Sequence, residues 1–470
     1  MIKTTEIEPQ TNGDPFQNCA LGRKQYALVL TDILSYYANE GGVIAINGRW
    51  GAGKTTFVKM WKQLLNQNQF QTLYFNAWEN DLTQDPLVAL ISELKEVINN
   101  DTAFDKIAPA FGRVLISVGT SIGKQVLEKA TGVKYDTLEA AIDECSEIGK
   151  EELKQYSELK ASIDDFRKKL IEFIASNAGE KPVVFFIDEL DRCTPTYAVL
   201  LLERIKHLFN IPNLVFVLSI NSEQLQYSIQ GHYGSSSFDA KGYLKRFIDI
   251  EYSLPDPDIK HFCNYLYDKY EISHFFGHKQ RIQHREFEKE GDAFLEIVRS
   301  VVSSKKVTLR DLEQMFIYIR IALNGFAPNN MTIPSVFFLL IYWKFTDNIL
   351  YQAIRSHQFN SERLLEEIEK YTPSIVNING IKEEPRSFIF AIAQLITYYN
   401  LNDSLDPIEN LFIKNKETNE SLSIFQPKKF TKKTFDDALD CYQRDFNRSH
   451  ITINYFIQRI ELMNHLTIYE

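Results

Sequence analysis

Residues 43–55 read VIAINGRWGAGKT, and this stretch decides the fold. VIAIN (43–47) is a short apolar run ahead of a glycine-rich turn, which reads as a buried parallel strand. The turn Gly48-Arg49-Trp50-Gly51-Ala52-Gly53-Lys54-Thr55 matches the spacing G-x-x-x-x-G-K-[ST] and opens a helix. Glycines at those positions let successive backbone N–H groups curve around an anion, and the helix N-terminus adds partial positive charge. Lys54 supplies a point charge for the β- and γ-phosphates, and the Thr55 hydroxyl is a magnesium ligand. The expected nucleotide-binding residues are Gly48, Trp50, Gly51, Ala52, Gly53, Lys54, Thr55 and Thr56, and the expected ligands are ATP and Mg2+.

Strands alternate with helices on both sides of this motif. RKQYALVLTDILSYYAN (23–39) has one apolar helical face and ends at Gly41-Gly42. TLYFNAW (72–78), VVFFID (183–188), NLVFVLSIN (213–221) and FIDIEYSL (247–254) read as further strands. Such alternation predicts an α/β fold: a parallel sheet covered on both faces. Residues 100–165 lack strand signals and read as a helical insertion. Beyond residue 258 the pattern is helical almost throughout, with residues 384–386 and 402–428 read as loops.

VVFFID ends in the carboxylate pair Asp188-Glu189. Ligands of open α/β sheets bind at the carboxyl ends of the strands. Asp188 is therefore expected to hold magnesium, and Glu189 to orient the attacking water or take its proton. Asn221 ends the next strand, where it could sense the γ-phosphate or cap the helix from Ser222. Ser219 is the alternative sensor. Arg246, shortly before the last strand, and Arg310, at the start of a later helix, are arginines of the kind that stabilise a transferring phosphoryl group. Taken alone, either arginine reads as an ordinary surface or ion-pair residue, Arg246 with an acid such as Asp249 or Glu251.

The bounds agree with a globular protein of more than one domain. The chain has 470 residues, 44% hydrophobic and 24% charged, with a net charge of −10. That balance gives no general basic field for nucleic acid. The cluster KKFTKK (428–433) reads as a solvated face. Five cysteines without a C-x-x-C pair indicate neither a zinc knuckle nor a disulfide framework, and fit a reducing cytoplasm. The apolar runs at 111–123 and 333–343 are shorter than the roughly 20 residues of a membrane span and read as buried or amphipathic helices.

Together these motifs resemble those of the KAP P-loop NTPases. The resemblance rests on Trp50 inside the P-loop, on Phe75-Asn76-Ala77-Trp78, and on Ile187-Asp188-Glu189-Leu190-Asp191-Arg192-Cys193. Tyr243-Leu244-Lys245-Arg246-Phe247, Asp14-Pro15-Phe16 and Leu21-Gly22-Arg23 extend it over about residues 14–325. It implies an additional-strand ATPase core related to AAA+ and STAND proteins. It also implies that Arg246 is an arginine finger, Arg310 the sensor arginine of a helical lid, and that residues near Leu21–Arg23 lie by the adenine. Two departures are noted. Glu189 stands where the family usually has aspartate, and Asn221 where it often has aspartate. The implied domains are an arm (1–22), a P-loop core (23–257) with an insertion at about 100–165, a lid (258–325) and a helical C-terminal domain (326–470).

The resulting expectation is a cytoplasmic regulatory ATPase that switches an assembly. It would self-associate through a composite site and act with a protein partner encoded nearby. Family analogy adds bacterial anti-phage defence as the setting. The alternatives are a nucleotide-gated scaffold with little hydrolysis and a P-loop kinase. No arginine-rich lid for a phosphoryl acceptor is visible, and no N-K-x-D guanine motif exists in the chain.

Overall fold

The computed structural model describes residues 9–37, 40–81, 85–97, 107, 110, 114, 152–178, 181–302, 307–373, 376–378, 381–401, 411–414, 421–445 and 451–461. The chain divides into two compact units, Thr5–Asp256 and Pro257–Glu470.

The first unit is built on five parallel strands: β1 (Gly42–Asn47), β2 (Thr72–Asn76), β3 (Val183–Asp188), β4 (Leu214–Ile220) and β5 (Ile250–Ser253), in the order β2-β3-β4-β1-β5. β3 and β4 lie inside the sheet and are buried along their whole length, which is why their sequences are apolar without alternation. β5 is an edge strand whose exposure alternates. It begins later than its apolar run, because Phe247 and Ile248 donate their N–H groups back to Leu244 in a turn. β2 stops at Asn76, whose side chain accepts the N–H groups of Trp78 and Glu79 and turns the chain.

Helices α1 (Lys24–Tyr36) and α2 (Lys54–Gln67) cover one face of this sheet through Ala27, Leu30, Leu34, Phe57 and Trp61. On the other face lie α3 (Pro86–Val97), α4 (Glu152–Ala178), α5 (Pro195–Leu208) and α6 (Ser222–Tyr233), centred on Leu90, Phe166, Leu201 and Leu225. Helix α7 (Ala240–Leu244) leads into β5. Of the expected insertion, Glu152 onward belongs to α4. Apart from Ile107, Ala110 and Val114, which are buried, the rest of it, including the apolar run at 111–123, lies outside the described residues.

The second unit is mainly helical. Its centre is α8 (Pro334–Thr346), in which every residue from Val336 to Trp343 is buried. Around it pack Glu290–Val302, Leu309–Leu323, Arg386–Asn400 and Ile453–Ile460. A helix apolar on all sides is a core helix. Among the described residues, no helix is long and apolar enough to cross a membrane. Two short hairpins, Val376–Ile378 with Ile381–Glu383 and Phe412–Lys414 with Ser421–Ser423, depart from the helical expectation. The second corrects part of the loop expected at 402–428, and the expected loop at 384–386 ends where a helix starts at Arg386. The basic cluster is largely engaged: Lys428 pairs with Glu366 at 2.8 Å, and Lys432 donates to the carbonyls of Ser423 and Phe425.

Candidate functional site at the carboxyl end of the sheet

Register places Asn76, Asp188 and Ser219 in one row at the carboxyl end of β2, β3 and β4, and Asn47 opposite Ile220 beside them. β4 thus separates the strand before the P-loop from the strand before the carboxylate pair. Gly48 continues the ladder by donating its N–H to Ile220 at 3.1 Å, and the chain then turns. Gly51 (φ +74°) and Gly53 (φ +78°) adopt left-handed backbone, which a side chain resists. Lys54 is buried, and its ammonium donates to the carbonyls of Gly48 (2.8 Å) and Arg49 (3.3 Å). Burial lowers its pKa, against the pull of Asp191 and Asp188.

Asp188 is 1% exposed. Its carboxylate accepts the Tyr74 hydroxyl (3.0 Å) and the Glu189 N–H (2.9 Å). Glu189 has φ +61°, a left-handed conformation that costs a non-glycine residue roughly 1–2 kcal/mol. It swings the chain into the 3-10 turn Leu190–Arg192. The Glu189 carboxylate pairs with Arg192 at 2.8 Å and accepts the Asn76 amide at 3.4 Å. Burial raises its pKa, with Arg192 opposing. The Arg192 guanidinium lies 5.6 Å from the ring centre of Trp78, which is 52% exposed.

One bond joins the P-loop to this acidic turn. The indole N–H of Trp50 donates to the buried Asp191 carboxylate at 2.5 Å. A partly exposed aromatic in a phosphate-binding turn is thereby anchored across 141 residues of sequence.

The other expected residues lie as follows. Asn221 accepts the Gln224 N–H at 3.4 Å, so its side chain caps α6 as the alternative reading had it. The Ser219 hydroxyl next to Asp188 is buried and has no hydrogen-bond partner among the described residues. Arg246 is exposed, and its side chain has no ion pair among the described residues. Asp249 accepts the Val43 N–H (2.8 Å) and Glu251 the Asn47 amide (2.6 Å), which leaves the ion-pair alternative for Arg246 unmade. Arg310 belongs to the second unit, exposed in the first turn of Leu309–Leu323 beside the capping box of Thr308 and Asp311. Arg23 is buried, and its guanidinium is spent on backbone carbonyls, including those of Ala52 and Gly53 within the P-loop. Sequence reasoning missed this grip, the Trp50–Asp191 bond, and the contacts that Tyr74, Asn76 and Arg192 make with the carboxylate pair.

No group of three or more His, Cys, Asp or Glu side chains able to hold a metal occurs among the described residues. A magnesium ion bound with a nucleotide does not need one. It keeps several waters and takes one or two protein oxygens plus phosphate oxygens, and the Thr55 hydroxyl and the Asp188 carboxylate are hard oxygen donors of that kind.

The family model that matches is the KAP family P-loop domain, over residues 23–325. No curated protein matches the chain. Among solved structures, the Aeropyrum pernix ORC2 protein in its ADPNP–ADP complexes is similar at 11% identity, covering 91% of this chain and 95% of that one, with a TM-score of 0.31. Its ADP form matches at 11% identity over 95% and 98%, with a TM-score of 0.34. Scores at that level leave the likeness without weight for function.

Proposed function

The chain belongs to the KAP family of P-loop NTPases, and from that premise we propose that it binds ATP with magnesium and hydrolyses it as a regulatory switch. One observation carries the reading: the Trp50–Asp191 bond ties a glycine-rich turn with two left-handed glycines to a strand end bearing Asp188 and Glu189. That arrangement supports phosphate binding by Gly48–Thr56 and Lys54, a magnesium held by Thr55 and Asp188, and water activation by Glu189. When bound, the metal neutralises phosphate charge, while Glu189 holds or takes a proton of the attacking water. Asn221 is the proposed γ-phosphate contact through its amide nitrogen, since its oxygen caps α6. Arg246, exposed and without an ion pair among the described residues, suits a finger reaching ATP on a second copy of the chain. Arg310 is the proposed lid arginine. The large helical unit would carry the output to a protein partner in the cytoplasm, and defence against phage is the proposed setting by family analogy alone.

The test is a pair of variants. Lys54→Ala should abolish tight ATP binding. Glu189→Gln should keep binding and cut turnover by roughly 10²–10⁴. A Glu189→Gln protein that turns over like the parent would remove the base assignment. Mixing Arg246→Ala with Glu189→Gln chains should restore part of the activity, and a fully active monomer would remove the finger in trans. The Glu189–Arg192 ion pair favours a second reading, in which nucleotide gates a scaffold and is hydrolysed little. Single-turnover hydrolysis separates the two.

A further inference from the structure

Arg23 occupies a position that local physics disfavours. It is the N-cap residue of α1, where the helix dipole repels a cation, and the first turn contains no acid. The residue is 2% exposed. Among the described residues it makes no ion pair; Asp256 acts on it only at a distance. A buried, unpaired charge is costly and persists where the surrounding structure uses it.

Its bonds show the use. One terminal nitrogen donates to the carbonyls of Ala52 (2.7 Å) and Gly53 (3.2 Å), and the other to the carbonyl of Pro255 (3.3 Å) just beyond β5. In a trans peptide the C=O and the following N–H point in opposite directions. Holding the oxygens of Ala52 and Gly53 toward Arg23 therefore turns the N–H groups of Gly53 and Lys54 to the other side. Those are N–H groups with which a G-x-x-x-x-G-K-[ST] turn cradles phosphate. The planar fork suits this task, because one terminal nitrogen holds both P-loop carbonyls while the other is anchored on the carbonyl of Pro255. The same guanidinium leaves an uncancelled positive charge behind the loop.

We propose that Arg23 is a positioning residue for phosphate: it sets the P-loop from behind by orienting the peptides 52–53 and 53–54, and it does not read the base. This rests on the phosphate-binding reading of the loop given above.

The experiment compares the parent with Arg23→Met, which fills similar volume without charge, and Arg23→Lys, which keeps the charge without the fork. Binding is titrated with ATP, ADP, GTP and inorganic tripolyphosphate, each with magnesium. Arg23→Met should weaken ATP, ADP and tripolyphosphate by a common factor of roughly 10- to 100-fold, the scale of a charge-assisted hydrogen bond. The ratio of ATP to GTP affinity should stay at the parent's value, and Arg23→Lys should recover part of the loss. Adenine reading predicts the reverse: a collapsed ATP-to-GTP ratio with tripolyphosphate unaffected. That result overturns the proposal, as does an Arg23→Met protein that binds all four ligands like the parent. A loss of affinity matched by a fall in the unfolding midpoint of Arg23→Met would reduce Arg23 to a structural role and also overturn it. If the parent itself binds neither ATP nor tripolyphosphate, the phosphate-site reading fails first, which is distinguishable from failure of the variants alone.

Discussion

Among the described residues, each unit buries one arginine almost completely, and the two are held in opposite ways. Arg281, in the helical unit, is 0% exposed and uses all five of its N–H donors: on Glu290, on the carbonyls of Pro328 (3.1 Å) and Asn330 (2.8 Å), and on the Thr332 hydroxyl (2.9 Å). The rings of Phe275, Phe276 and Phe287 surround it, their centres 4.5–5.8 Å from the guanidinium carbon. Its charge is cancelled and its surroundings are closed. Among the described residues Arg23 has carbonyl partners and no carboxylate in an ion pair, and burial pushes its pKa down to about 10, still charged at neutral pH. A cancelled charge serves as a staple between segments. An uncancelled one beside a glycine-rich turn is an electrostatic resource. The difference implies that disturbing Arg281 is read out in stability and disturbing Arg23 in ligand affinity.

The largest expected effect tests the first half of that contrast. Arg281→Met strands the Glu290 carboxylate in the core and should cost about 3–5 kcal/mol, measured by urea unfolding of the helical transition. Glu290 sharpens the test. Burial already raises its pKa, with Arg281 opposing. A carboxyl raised in the folded state contributes stability below its unfolded value and loses it as pH rises through the folded value. The penalty of Arg281→Met should therefore be smaller in mild acid than in mild alkali. Adding Glu290→Gln should recover much of it. If the single variant melts like the parent, Arg281 is no staple and the contrast fails.

How much of this was legible in the sequence depends on how local each signal is. The strand before the P-loop, the glycines and Lys54 form one contiguous string, and the parallel sheet followed from apolar runs alternating with helical periods. The all-apolar run at 333–343 was readable as core by its length, and α8 is indeed buried. The hairpin strands near residues 412–423 are three residues each, too short to carry a period. The tertiary contacts of the site were not legible. Trp50 and Asp191 are far apart in the chain, and nothing in their spacing encodes a bond. Arg23 was assigned to the adenine by family resemblance, and its bonds to the carbonyls of Ala52 and Gly53, some thirty residues away, are tertiary contacts that no local pattern encodes.

A smaller effect tests the functional half within the P-loop unit. The Trp50–Asp191 bond is charge-assisted, but Trp50 is 46% exposed, so its worth is reduced by solvent. Trp50→Phe and Asp191→Asn should each weaken ATP binding by about 1–2 kcal/mol, roughly 5- to 30-fold. Combined, they should cost little more than either alone, since both remove one bond. Unfolding midpoints should barely move. Full additivity would show two independent roles, and a large loss of stability would make this anchor resemble Arg281 rather than Arg23.

The smallest effect returns to the helical unit, at a polar anchor that is neither a cation nor fully buried. Asp347 caps the helix Asn348–Arg355 by accepting the Leu350 N–H at 3.0 Å, and it also accepts the Tyr371 hydroxyl. Burial pushes its pKa up, but the Tyr371 hydroxyl and the Leu350 and Ile349 N–H groups outweigh it, so the net shift is downward. A carboxylate depressed in the folded state stabilises the protein above its unfolded value and loses that contribution as pH falls through its folded value. Asparagine caps helices about as well as aspartate, whereas alanine costs roughly 0.5–2 kcal/mol. Asp347→Ala should therefore lose about that much at neutral pH. Asp347→Asn should lose less, and its stability should decline less than the parent's between neutral pH and about pH 3, where aspartates gain protons. ATP affinity should be untouched by either, as expected if polar anchors in this unit act on stability alone. An Asp347→Asn protein as acid-labile as the parent would show that Asp347 contributes through geometry and not through its charge.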